Sequence, residues 1–376
     1  MTPNSTQHVT LGDPVPGFTA RTVTGASVSL HVDAGRWILL SFLGSLADQR
    51  AAEELAALLR EARLFSEPHL VAYVILTEPP QPEALTMLAA VSGPALAFIA
   101  DYDGAITRSF GAELMRRSVV LDPMQRAIAD IPWDHAAGHA ALLCQVLREL
   151  PPVADSAGVP LWAPALIVPR VLDFALCDFL VKLYDAMGGE ESGFMLDQDG
   201  KTASVIDHRL KRRRDLIIVD PELRETIRGQ ILRRLIPAID QFFGFAATRM
   251  DRYIVSCYDS AVGGHFFRHR DNVNAGAQHR RFAVSINLNK DYEGCDLVFP
   301  EFGPRPYRPP VGGAVAFSAG MLHEVTPITR GRRHVFVPFL YGEADAARRE
   351  SNNARLRDGE SLYVGGADRL FPEAAE

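Results

Sequence analysis

Cysteine is scarce in this chain, with four in 376 residues at positions 144, 177, 257 and 295. They are too few and too scattered for a disulfide framework and form no Cys-x-x-Cys pair. That argues against a dithiol redox centre and predicts reduced thiols in a cytoplasmic protein. Long apolar runs are also missing. No segment reaches about 18 uninterrupted apolar residues, and residues 1–18 carry neither a basic stretch nor an apolar one, so the chain is expected to be soluble, unprocessed and without a membrane partner. Nor does one sign of charge dominate. Forty-six acidic residues against 39 basic ones leave a formal charge of -7, which argues against nucleic acid or anionic lipid as a partner of the whole molecule. No internal repeat or low-complexity tract is present.

What is there is an ordinary globular composition, 47% hydrophobic and 23% charged, in a chain long enough for two or three domains. From Trp37 to about Leu150, short apolar runs alternate with helix-like stretches: WILLSFLG, DQRAAEELAALLREA, HLVAYVIL, PEALTMLAAV and LAFIA. This is the pattern of βαβ units around a sheet with parallel strands, completed by a strand at SVVLDP and a helix near Asp134 to Leu150. The Pro- and Ala-rich segment 151–160 is predicted to be a linker, which divides the chain into residues 1–150 and 161–376.

Beyond the linker the pattern changes. Leu172, Leu176, Phe179, Leu180 and Leu183 share one helical face over 170–187, and Gly188-Gly189 stops that helix. Asp220-Pro221 is an N-cap with proline at the first helical position, and the stripe Leu223, Ile227, Ile231, Leu235 and Ile239 continues to about Phe245 with a kink at Pro237. Between Arg252 and Tyr341 come short runs broken by glycine, proline and asparagine: RYIVSCY, HFFRH, RFAVSINL, DLVFP, GGAVAFS and HVFVPFLY. They predict a β-sandwich or jelly roll with supporting helices, an α+β domain. Residues from Glu343 onward are expected to form a polar surface tail.

The chemistry concentrates in this second part. Residues two apart in a strand share a face, so His269 and Asp271 of His-Arg-Asp present an imidazole and a carboxylate to one point. His323, from a distant strand, would complete two histidines and one carboxylate. That donor set leaves metal positions open for oxygen chemistry at iron(II). A His-x-Asp triplet alone is weak, since His31-Val32-Asp33 repeats it in the first half, where no partner histidine with a following basic strand exists; it is read as a turn. Arg333 follows His323 by ten residues, after a turn predicted at Thr329 to Gly331. A buried arginine beside a metal needs an anion, and a dicarboxylate that chelates the metal with one end supplies it with the other. Arg332 competes for this role, because alternation turns only one of the two inward.

With SCYDS, GGHFFRHRDN, FAVSINLNKDYEGCDLVFP, GGAVAFSAGMLHEVTPITRGRR and VPFLY in place, residues 253–341 resemble the prolyl-4-hydroxylase type of iron(II)/2-oxoglutarate-dependent dioxygenase. The resemblance implies a double-stranded β-helix in which His269, Asp271 and His323 hold Fe(II). In it, 2-oxoglutarate chelates the metal and places its 5-carboxylate on Arg333, which the family's spacing favours over Arg332. It also implies that Tyr258 and Asn287 line the co-substrate pocket, with ascorbate as a candidate reductant. The implied activity is hydroxylation of a C–H bond, in a small molecule or a peptide or protein side chain, with release of succinate and carbon dioxide. One departure stands out: Gly294-Cys295-Asp296 replaces a Gly-Gly common in relatives. Cys257 and Cys295 are both read as small packed apolar residues. The polar segment 189–220, with its four consecutive bases at 211–214, is read either as a lid or as a solvated charged loop.

Residues 10–150 resemble the peroxiredoxin and thioredoxin-like fold, on LGDPVPGF and on the strand and helix from Trp37 to Ala62. In those relatives a peroxidatic thiolate opens this helix, whereas residues 44–50 here contain no cysteine and Cys144 is too far along the chain to substitute. The implied role is a degenerate redoxin domain for scaffolding, substrate presentation or homo-oligomer formation. The alternative to the dioxygenase is a binding or scaffold protein derived from a thiol peroxidase, with a non-catalytic metal site.

Overall fold

Runs such as WILLSFLG and LVAYVIL, apolar at every position, suit strands covered on both faces. The computed structural model describes residues 9–66, 68–134, 138–198, 201–356 and 369–371. In it, Trp37–Gly44, Leu70–Leu76 and Leu96–Ala100 pair in parallel. Arg117–Leu121 and Ala127–Pro132 then add antiparallel strands on the far side of Trp37–Gly44, so the five-stranded sheet is mixed rather than parallel throughout. Alternation divides its core. Trp37, Leu39 and Leu43 pack with Leu55, Leu58, Leu88, Leu143 and Leu147 of three helices on one face, while Ile38, Leu40 and Phe42 meet Ile106 and Phe110 on the other. The last helix spans His139–Glu149 and is pinned by the buried His139, whose ring nitrogens lie 2.8 Å from Glu54 Oε2 and 3.0 Å from Ser118 Oγ.

The described chain divides into two compact units, residues 1–162 with 300–304, and residues 163–299 with 305–376. Residues 151–160 lie at the end of the first unit. The Trp37 indole donates to the Pro151 carbonyl at 2.8 Å, and Val153 packs on the apolar core.

In the second unit, Asp173 and Asp220 cap helices Phe174–Met187 and Pro221–Arg234, accepting from the backbone N–H groups of Leu176 at 2.8 Å and Leu223 at 2.7 Å. The first helix thus starts at Phe174, later than the apolar spacing from 170 suggests. The second stripe is two helices, because Pro237 has no N–H to give; Ile236–Phe243 follows a break at Leu235, and Gly244 ends it with a φ of 60°. Leu176, Leu180, Ile227, Ile231 and Ile239 cover Val255, Val284, Ile286, Phe336 and Leu340 of a large sheet. That sheet runs in the order Arg249–Asp251, Phe339–Tyr341, Phe282–Asn287, Ile328–Phe336, Ile254–Asp259, Arg214–Ile217 and Glu190–Glu191, with Ala314–Ser318 also paired to Phe282–Asn287. A smaller sheet orders Lys211–Arg212, His265–His269, His323–Val325, Leu297–Val298 and Pro306–Tyr307. Crossing between the two sheets along the chain is the jelly-roll pattern that the short strands announce.

The predicted tail is partly a helix, Glu343–Ser351. It is anchored by Asp345, only 4% exposed, which pairs with Arg281 at 2.6 Å, and by Glu343, which accepts from Arg249 at 2.7 Å. Apolar patterning misses it because ion pairs hold it. No helix among the described residues is long and apolar enough to cross a membrane.

Candidate metal centre and co-substrate pocket

His269 ends one strand of the small sheet and His323 begins its antiparallel neighbour, with the two residues directly opposite each other. Asp271 follows two residues later, its backbone N–H donating to the Ala319 carbonyl at 2.9 Å. The three are brought together so that one ligand atom of each lies within 4.8 Å of the others. Asp271 Oδ1 is 3.6 Å from His269 Nε2, and Asp271 Oδ2 is 3.3 Å from His323 Nε2. Each imidazole has its other nitrogen engaged by the carbonyl two residues before it, His269 Nδ1 with Phe267 at 2.8 Å and His323 Nδ1 with Met321 at 3.0 Å. A carbonyl accepts only, so Nδ1 carries a proton, and Nε2 is the atom each ring turns toward Asp271. Burial, with the neighbouring His323, brings His269 down to about 4, so its imidazole is neutral near pH 7. Burial pushes the Asp271 carboxyl up, but His323 and His269 outweigh it and hold it well below the usual range. Two imidazole nitrogens and one carboxylate oxygen thus converge as a ligand set for a divalent cation.

On the large sheet, Tyr258 and Arg333 face each other across adjacent strands, and Asn287 lies on the neighbouring strand. All three are 2% exposed. Alternation resolves the arginine pair. Arg333 points inward, while the half-exposed Arg332 points out and pairs with Asp185 at 3.0 Å. Arg333 donates to Asn287 Oδ1 from Nε at 3.1 Å and from Nη2 at 3.0 Å, to Ser285 Oγ at 3.2 Å and to the Cys295 carbonyl at 2.9 Å. Asn287 is held in turn, its amide donating to Tyr292 Oη and the Pro309 carbonyl, both at 2.9 Å. Every acceptor around Arg333 is neutral. Among the described residues no carboxylate pairs with this buried guanidinium.

Residues 253–341 match the 2OG-Fe(II) oxygenase superfamily. The chain is also 34% identical over 146 residues to a PKHD-type hydroxylase of Bordetella pertussis, a stretch covering 36% of this chain and 63% of that protein. The chain thus spans less than two thirds of the length of that relative. Among solved structures, a prolyl hydroxylase of Trichoplax adhaerens in complex with a hypoxia inducible factor fragment is 17% identical with a TM-score of 0.38, over 56% of this chain and 94% of that one. A thioredoxin domain of a Bacteroides vulgatus thiol-disulfide oxidoreductase is 16% identical with a TM-score of 0.30, over 37% of this chain and 99% of that one.

Three details of the oxygenase segment and its surroundings bear on the sequence reading. Thr329 to Gly331 is no turn; these residues lie inside the strand Ile328–Phe336, and the break falls at Thr326-Pro327. Gly331 is needed for close approach instead, since a Cβ there would stand 2.4 Å from the Asp291 carbonyl oxygen, and its φ is +76°. The Gly294-Cys295 pair takes two left-handed residues in succession, φ 70° and 56°, a backbone that explains why glycine suits both positions. Cys295 belongs to the cluster with Tyr258 and Tyr292, and Cys257 to the opposite core, so the two thiols are separate and buried.

The third detail is the run of four bases. It is not a solvated loop: strand alternation exposes Arg212 and Arg214 and buries Lys211 and Arg213. Lys211–Arg212 pairs with His265 and Phe266, and Arg214–Ile217 pairs with Ile254–Cys257, so the run bridges both sheets. Lys211 Nζ donates to Ser192 Oγ at 2.7 Å and the Gly193 carbonyl at 2.6 Å, and stands 4.9 Å from the Phe266 ring, which itself stacks on His269 at 3.5 Å. Arg213 pairs with Asp215 at 2.7 Å and lies 6.0 Å from the Tyr258 ring. Burial drives the Lys211 ammonium well below the ordinary lysine range. Sequence reasoning missed both residues; the available signal was the period of two within the run. The other triplet, His31 to Asp33, lies at a 3-10 turn, where Asp33 pairs with Arg36 at 2.8 Å.

Proposed function

We propose that this protein is an iron(II)- and 2-oxoglutarate-dependent dioxygenase that hydroxylates a C–H bond of a small molecule or of a peptide or protein side chain. The observation that carries the reading is the buried Arg333, which pairs with no carboxylate among the described residues, in a domain that also assembles His269, Asp271 and His323. A lone buried guanidinium costs several kcal/mol unless a ligand neutralises it. A dicarboxylate fits that requirement, because one carboxylate pairs with Arg333 while the other end reaches the metal.

His269, Asp271 and His323 would hold the iron, which when bound supplies the redox centre for oxidative decarboxylation of 2-oxoglutarate to succinate and carbon dioxide. The chain's own contribution is positional. The Phe267 and Met321 carbonyls fix the tautomer and ring orientation of the two histidines. The low Asp271 keeps an anionic ligand available through the neutral pH range. Asn287 orients the Arg333 fork, and the buried Tyr258 sits opposite Arg333 on the adjacent strand.

The first unit is read as a degenerate redoxin domain. Its sheet order, a βαβ core extended by an antiparallel pair and a final helix, supports that reading. The absence of a reactive thiol is why it is read as degenerate: Ser45 and Asp48 occupy the approach to helix Gln49–Arg60, and every cysteine of the chain is buried. The test is succinate release from 2-oxoglutarate under air with iron(II). The reading expects a slow basal release that rises with the right substrate and disappears in His269→Ala. A protein that neither binds iron(II) nor consumes 2-oxoglutarate would sink it.

A further inference from the structure

At the end of the large sheet away from Arg333, two further guanidiniums gather on one aromatic ring. Strand Phe282–Asn287 pairs with Val335 through Asn287 and with Phe339 through Ala283, so the ladder continues past Arg333 to Phe339. Six residues at about 3.3 Å each put Phe339 roughly 20 Å beyond Arg333. Phe339 is buried, and the guanidinium carbons of Arg280 and Arg252 lie 4.1 Å and 5.5 Å from its ring centre. Arg280 also reaches the metal centre, its Nη1 donating to the Asp271 backbone carbonyl at 3.1 Å. Arg252 arrives here from a left-handed backbone, φ 62°, a conformation that residues with a Cβ rarely adopt.

Neither cation is neutralised by its neighbours. Among the described residues the Arg252 guanidinium makes no hydrogen bond or ion pair, and that of Arg280 makes only the one to Asp271, its buried Nε being left without an acceptor. The acids nearby are committed elsewhere: Asp251 to His279 at 3.3 Å and Arg349 at 3.4 Å, Asp215 to Arg213 at 2.7 Å, and Asp271 to the metal site. The two arginines are close enough that, after burial, Arg252 is the main influence bringing the Arg280 guanidinium down to about 10. Two partly buried guanidiniums that repel each other and lack a carboxylate call for an oxyanion that both can bind. 2-Oxoglutarate is not that anion, because its five-carbon chain, anchored on Arg333, is too short to span the distance to Phe339.

We propose that Arg252 and Arg280 bind an oxyanion of the primary substrate, a carboxylate or a phosphate, and so present a C–H bond of a small organic acid to the metal centre. The inference rests on the dioxygenase reading and deepens it by naming the substrate class. Arg280 is the link between the two, since one guanidinium touches both the backbone of a metal ligand and the ring that Arg252 shares.

Titration calorimetry on the full-length, iron(II)-loaded protein without oxygen tests it. 2-Oxoglutarate is titrated first. The probes follow with 2-oxoglutarate present: the N-acetyl derivatives of the twenty proteinogenic L-amino acids for the carboxylate, and glycerol 3-phosphate for the phosphate. At least one should give a saturable one-to-one isotherm, and its neutral counterpart, the matching N-acetyl carboxamide or glycerol, should bind at least tenfold more weakly. Arg252→Gly, which suits the left-handed backbone, and Arg280→Met should each weaken binding of that probe at least tenfold, while Arg212→Met, at an exposed position, should change it less than twofold. Should Arg280→Met fail to fold, Arg252→Gly decides alone. If 2-oxoglutarate does not bind, the dioxygenase reading fails, and the anion site stands or falls on the same probes. Binding of 2-oxoglutarate with none of the probes, retained affinity in Arg252→Gly, or neutral counterparts that bind as well as the acids would each overturn the proposal.

Discussion

Replacing Arg333 with methionine removes the charge and keeps much of the volume, and it separates ligand binding from folding. In the free protein two large effects oppose each other. The wild type buries a guanidinium with no carboxylate beside it, a penalty of several kcal/mol that the substitution relieves. Against this, Asn287 Oδ1, Ser285 Oγ and the Cys295 carbonyl lose their donor, at about 1–3 kcal/mol for each acceptor left dry. These effects oppose each other, so the stability of the free protein should change by less than either alone. Co-substrate binding has no such cancellation. Two charge-assisted hydrogen bonds to a carboxylate, at roughly 1.5–3 kcal/mol each, are lost outright, and about 3–6 kcal/mol is a factor of about 100 to 20,000 in Kd. The assay is calorimetric titration of 2-oxoglutarate into the iron(II)-loaded protein without oxygen, paired with urea unfolding of the metal-free protein. Arg332→Met is the control: its side chain is half exposed and faces Asp185, so 2-oxoglutarate affinity should shift less than about twofold. A loss of less than tenfold in Arg333→Met, or an equal loss in Arg332→Met, would refute the reasoning.

The remaining predictions concern the metal ligands and two buried ion pairs. His323→Ala should lower iron(II) affinity at least about 100-fold, measured by competition with a chelator, with the far-ultraviolet circular dichroism unchanged. Arg213→Met leaves Asp215 buried without its guanidinium, and chemical denaturation should register a loss of about 3–5 kcal/mol, whereas Arg212→Met, on the exposed side of the same run, should cost under about 1 kcal/mol. Asp251 gives a pH signature. Burial pushes its carboxyl up, but His279 at 3.3 Å and Arg349 at 3.4 Å outweigh that and hold it at about 2, below the unfolded value of 3.8. A depressed folded value means the unfolded chain binds the proton first, so this stabilisation is complete above pH 3.8 and is lost as pH falls toward 2. About 2 kcal/mol of acid sensitivity in that window should vanish in Asp251→Asn, and an unchanged acid limb in the stability profile would contradict it.

The sequence made legible what depends on local period and on residue type. Period two places His269 and Asp271 on one face, helical stripes end at glycine, and Asp-Pro opens a helix at position 221 as its capping chemistry requires. Choosing between Arg332 and Arg333 needed only one fact beyond alternation, the register that sets Arg333 opposite Tyr258. What stayed hidden depends on partners far away in the chain. A run of Lys-Arg-Arg-Arg looks like a solvated face because burial of a cation is costly, yet Ser192, Gly193 and Asp215 converge on Lys211 and Arg213 to make it affordable. The helix after Glu343 carries no apolar stripe because Arg281 and Arg249 hold it through Asp345 and Glu343. Gly331 reads as a turn when its neighbours alone are considered, but it serves the close approach of Asp291 from another strand. The same logic bears on His334. Its neighbours in sequence give no hint of its setting, and only the crossing of helix Phe174–Met187 over the sheet buries the imidazole edge-on against Tyr184. Sites built from one strand's alternation can be read in advance, whereas sites built where a helix crosses a sheet emerge only once the packing is known.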